Sequence, residues 1–165
     1  MYESIAEFTG DWKKESQSTI KLLKNLTDAS LSQKVYAEGR TLGFIAWHLV
    51  SSIAEMGSKV GFNFGEIDEK TPMPQNASDI ASTYEKLATS LAEQVGAWGD
   101  ERLAEEDDMY GEKWSKNMTL HVLIRHEIHH RAQMTVLMRQ AGLPVPGVYG
   151  PSKEEWAAYG MPPME

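Results

Sequence analysis

Cysteine is absent from this chain of 165 residues. That excludes a disulfide framework, a thiolate metal ligand and a cysteine nucleophile. No apolar run approaches the roughly 18 residues needed to cross a bilayer. The opening Met1-Tyr-Glu-Ser-Ile-Ala-Glu7 has no basic region followed by an apolar stretch, so no signal peptide is expected. Basic surface is also scarce: 24 acids against 16 bases leave a formal charge of −8. Binding a phosphate backbone needs the opposite balance. These absences predict a cytoplasmic protein that engages neither membrane nor nucleic acid. Hydrophobic residues at 41% and charged residues at 24% are ordinary for a globular protein, and the length fits a single domain over residues 1–165.

What is present is helical periodicity. Ile5, Phe8, Trp12, Thr19, Leu22, Leu23 and Leu26 fall at helix spacings across Ser4 to Leu26. A second segment runs from Thr41 to Val60, stopped by Gly61. A connection holding Gly65, Pro72 and Pro74 follows. The third opens with Ser78 as the expected N-cap and continues to Trp98. The acidic stretch Glu101 to Asp108 reads as a solvated loop. The fourth starts near Asn117 and ends at Gly142 and Pro144, and a short helix over Ser152–Tyr159 is expected in the tail. No strand alternation is evident. The expected fold is all-α, a four-helix bundle with a short C-terminal helix.

The fourth segment carries apolar residues on two sides. Leu123 and Leu137 share a face with His126, while Ile124, Ile128 and Thr135 lie nearly opposite. A bundle helix has one buried face, so the second stripe calls for cover from the tail or from a second subunit; a homodimer is expected.

Chemistry concentrates in His126-Glu-Ile-His-His130. Histidines four apart lie about 40° from each other around a helix and one turn apart, which offers two imidazoles to one ion. A third imidazole, His48, sits on the second helix with Phe44, Ile45 and Ser52, mostly on a face suited to a bundle interior. A buried imidazole without a partner is costly, and one metal would satisfy all three rings. Zinc and nickel accept neutral imidazole, and catalytic sites commonly use three protein ligands and leave one position open. Glu127 and Glu55 are candidate general bases. Gln133, His129 and Trp47 are candidates to orient ligands or line a pocket. Glu127 has a plainer alternative as a surface ion pair with Arg131. The string also matches the H-E-x-x-H pattern of zinc peptidases, but the third ligand of the elongated motif would fall at Val136.

Trp47-His48, the run Arg125-His126-Glu-Ile-His-His130-Arg-Ala-Gln133 and the tail Gly142-Leu-Pro-Val-Pro-Gly-Val-Tyr-Gly-Pro151 together resemble the DinB-like/YfiT-like family of small metal-binding four-helix bundles. The resemblance runs nearly end to end. It implies a triad of His48, His126 and His130 around one divalent ion, zinc or nickel, and a homodimer. It further implies thiol S-transferase chemistry on a small molecule, with a low-molecular-weight thiol as cosubstrate; hydrolysis by hydroxide at the open metal position is the companion expectation. The other reading is a non-enzymatic, metal-stabilised dimeric binding or structural domain.

Overall fold

A computed structural model describes residues 1–162. Its helices are α1 (Ile5–Leu23), α2 (Leu42–Lys59), α3 (Ala77–Gly96) and α4 (Lys116–Gln140). Each starts at a side chain that accepts an otherwise orphaned backbone N–H: Ser4 from Glu7 at 3.2 Å, Thr41 from Phe44 at 3.0 Å, Asn76 from Asp79 at 2.8 Å and Ser115 from Met118 at 3.1 Å. The α3 cap is therefore Asn76 rather than Ser78. Ser78 lies one residue inside the helix, where its hydroxyl bonds back to Asn76. Two aspartates reinforce helix starts from a distance. Asp28 accepts from the Ala77 N–H and Asp100 from the Ile5 N–H, both at 2.8 Å.

Helices α1 and α2 each pack against both α3 and α4, so α1 and α2 take opposite corners of the bundle. The core they enclose includes Phe8, Trp12, Leu49, Ile53, Ile80, Tyr84, Leu91 and Leu120, all essentially inaccessible. The Trp12 indole N–H finds the Ala88 carbonyl at 2.8 Å, which satisfies the polar atom of a buried ring. Among the described residues no helix is long and apolar enough to cross a membrane.

Between α3 and α4 the stretch expected as a solvated loop, Glu101 to Asp108, instead forms a 3-10 turn, Asp100–Ala104, and then enters a small antiparallel hairpin. Strand β1 (Glu106–Met109) pairs with β2 (Glu112–Ser115), with Asp107 opposite Trp114. Tyr110 and Gly111, at φ 55° and 87°, form its two-residue turn, a conformation that suits a twisted hairpin and favours glycine. Met109 is fully buried beneath it. The acids are not merely solvated: Asp107 pairs at 2.6 Å, and Glu105 at 3.6 Å, with the ammonium of buried Lys116. A desolvated cation opposite them gives these carboxylates a structural place in the fold.

Of the second apolar stripe of α4, Ile124 is buried and Ile128 partly buried; in the tail Val145 is buried, and Tyr149 stands beside Arg131, three residues beyond Ile128. The expected Ser152–Tyr159 helix shrinks to one 3-10 turn, Trp156–Tyr159, ended by Gly160 at φ 68°.

Asn76→Ala should lower unfolding free energy by about 1 kcal/mol in urea titrations, whereas Ser78→Ala should change it by less than about 0.5 kcal/mol. Equal losses would mean that the cap had been misassigned.

Candidate metal centre

Because α2 and α4 are neighbours, His48 reaches the histidine pair of α4. Its Nε2 lies 3.2 Å from the Nε2 of His126, which lies 3.1 Å from that of His130. Ligand atoms of the three rings all lie within 4.8 Å of one another, with His130 buried and the other two half-buried. A neutral imidazole Nε2 has a single in-plane direction, holding either a proton or a lone pair. The His126 Nε2 therefore cannot form linear hydrogen bonds to both neighbours. One cation facing three lone pairs resolves the conflict. Ligands at 2.0–2.1 Å in tetrahedral array stand about 3.3 Å apart, close to the separations seen.

Protonation points the same way. Burial is the main cause lowering all three pKa values, with repulsion among the rings adding to it, and His126 falls from 6.5 to about 4. The rings are thus neutral at pH 7, the form that ligates. The His130 Nδ1 stands 2.8 Å from Gln133 Oε1 and donates to it, which leaves the lone pair on Nε2. Gln133 Nε2 in turn donates to His129 Nε2 at 3.0 Å. His48 is stacked on Phe44, with ring centroids 6.0 Å apart and planes 16° apart. The His126 Nδ1 is buried without a partner, so no hydrogen bond there fixes its tautomer.

Gln133 also borders a cleft of about 450 Å³ that is walled by Val35, Tyr36, Arg40 and Val136. Arg40 carries its guanidinium 4.9 Å from the Phe44 ring centroid. The sequence reading had missed Arg40, although Arg40, Phe44 and His48 follow one another at four-residue steps.

The two candidate bases lie elsewhere. Glu127 is turned into the bundle, where its Oε1 accepts from Thr19 of α1 and Tyr84 of α3, both at 2.5 Å. Nor is it a surface ion pair, because Arg131 is buried too and pairs instead with Glu15. A metallopeptidase would need this carboxylate beside the ion. Glu55 lies two turns beyond His48, about 10 Å along the axis, next to the Tyr110 hydroxyl. Trp47 serves packing: it is buried, and its indole N–H donates to the Thr71 carbonyl at 2.9 Å, tying down the connection before α3.

The arrangement defines a class: a four-helix bundle with a three-histidine cluster, fit to hold a metal ion, between two of its helices. A model of the DinB family matches residues 1–164, and the chain belongs to that family. The uncharacterized protein YrdA of Bacillus subtilis (strain 168) is 41% identical over 162 residues, 98% of this chain and 97% of that protein. A crystal structure of a DinB-like protein from Bacillus cereus ATCC 10987 has a TM-score of 0.85 at 44% identity, covering 90% of this chain and all of that one. Another DinB-like protein, YjoA of Bacillus subtilis, has a TM-score of 0.69 over 86% of this chain and 96% of that one. At 19% identity, that likeness speaks for the fold alone.

The buried ionisable groups give a testable pH signature. Burial raises the Glu127 pKa from 4.5 to about 7, against the hydrogen bonds from Thr19 and Tyr84 and the charge of Arg131. The folded state then holds an extra proton between those values, so this group's contribution falls as pH rises through that window. The depressed histidines act oppositely: the unfolded chain binds more protons below pH 6.5, so their contribution rises with pH from about 4 to 6.5. In metal-free protein Glu127→Gln should steepen the rise in stability between pH 4.5 and 7, by at most about 1.4 kcal/mol per pH unit. Urea midpoints across this range that match the parent's would show that Glu127 does not titrate there.

Proposed function

We propose that this protein is a metal-dependent enzyme. His48, His126 and His130 hold one divalent ion, zinc or nickel, and the reaction is thiol S-transfer or hydrolysis on a small molecule. The observation that carries this reading is the convergence of three Nε2 atoms on neutral rings, with His130 held in the ligating tautomer by Gln133, which borders a cleft. Three protein donors rather than four is the count of a site with room for a reactant. When bound, such an ion supplies Lewis acidity, which lowers the pKa of a thiol or water presented to it.

The remaining work falls to the chain. Gln133 fixes the ligating tautomer of His130, and Phe44 steadies the His48 ring. With Glu127 and Glu55 away from the cluster, the nearest further imidazole is His129, whose ring centroid lies 4.9 Å from that of His130 and whose Nε2 accepts from Gln133. The chain has no cysteine, so sulfur chemistry here draws on a thiol cosubstrate. Light scattering at twice the 18.5 kDa chain mass would support the accompanying homodimer.

Metal content by mass spectrometry tests the centre. One divalent ion per chain is expected, lost in both His48→Ala and His126→Ala. Gln133→Ala should weaken metal affinity about 10–100-fold while keeping the stoichiometry at saturation. Loss on changing His126 but not His48 would break the triad. A saturated four-coordinate site that ignores added thiols would favour a structural role.

A further inference from the structure

Resting on the metal-site reading above, we propose that Arg40 is a specificity-determining residue. It recognises a carboxylate on the small molecule whose other end reaches the position held by the three histidines.

Arg40 is an exposed arginine at the start of α2, and among the described residues no carboxylate lies within ion-pairing distance of it. In a chain of net charge −8, a guanidinium held in a cleft without an acid is notable chemistry. It is not loose, because its face lies on Phe44, whose ring stacks in turn on His48. That contact orients the planar fork while leaving its N–H donors free for an oxyanion.

The cleft brings Arg40 within reach of Gln133, the residue that holds His130. Arg40 and Gln133 both line it, and Gln133 is bonded to His130. About 450 Å³ lies within the range of small-molecule pockets. Val35, Tyr36 and Val136, each more than half exposed, supply apolar walls to the cleft. A ligand that fits has a donor for the metal, an apolar body and a carboxylate. A neutral or cationic analogue would forgo the guanidinium.

The test uses cobalt-loaded full-length protein, because a thiolate on cobalt gives a charge-transfer band that reports binding without turnover. Mercaptoalkanoates with two to five methylenes would be titrated beside the mercaptoalcohol of each length. At the best-fitting length the carboxylate should bind about tenfold tighter than the alcohol, with the ratio shrinking in high salt. Arg40→Met should bring that ratio near one, and Arg40→Lys should keep part of it. A ratio near one at every length in the parent, or a preference that survives Arg40→Met, would overturn the proposal. Cobalt uptake with a thiol band but no charge preference removes only Arg40's role. Failure to take up cobalt, or to show any thiol band, removes the metal-site reading and this proposal with it.

Discussion

Two imidazoles one turn apart on α4 dictate what the residues after them must do. Each successor lies about 100° further round the helix, so Glu127 and Arg131 form a second pair one turn apart, aimed toward α1 and α3. A carboxylate and a guanidinium thus enter the core as a by-product of the histidine spacing, and neither is tolerated there without partners. Thr19 and Tyr84 serve the first. The Glu15 carbonyl, its carboxylate and the Tyr149 hydroxyl serve the second. Elements as far apart as α1, α3 and the tail therefore meet on α4.

Those partners also fix the rotation of α4 about its axis. Turning the helix by one residue would strip Glu127 and Arg131 of their bonds and swing His126 and His130 away from His48. A satisfied buried ionic network is roughly neutral against well-packed apolar residues, whereas breaking one partner costs about 3–5 kcal/mol. On this argument the network contributes orientation more than stability. The positively charged N-terminal ends of α1 and α3 rest on distant aspartates in the same spirit, each holding a helix start in register with its neighbours.

This division explains what was legible in the sequence. The bundle was readable because four amphipathic runs carry their own period, and the histidines because spacing on one helix converts directly into geometry. His48 needed the packing of α2 on α4, which periodicity does not give. Glu127 misled for the same reason: its four-residue spacing from Arg131 describes a surface pair equally well, and only the positions of Thr19 and Tyr84 turn it inward. The hairpin hid behind a run of acids with poor strand propensity. Tyr110-Gly111 was its one local signal, and buried Lys116, which gives those acids a partner, lies beyond the run itself. Arg40 escaped notice because it precedes the helix, although its spacing from Phe44 and His48 continues the helical line.

Likeness to known proteins constrains the scaffold more than the chemistry. The bundle is maintained at 19% identity, so packing alone can reproduce it without fixing what the cluster does. The chemistry must be argued from the donors. Gln133 stands next to the cluster yet is engaged on both sides, with its oxygen accepting from His130 and its amide donating to His129. Its oxygen is therefore occupied in orienting a ligand rather than completing a fourth one. Within the described residues the set stays at three imidazoles, all neutral at pH 7, beside a cleft with a free guanidinium. A metal site that only clamps a fold commonly has four protein donors, one more than these imidazoles would supply, and has no use for an unpaired cation nearby. The three-donor count and the unpaired cation are the two features on which the proposed catalytic reading rests, because a reactant held by one end and activated at the other would use both.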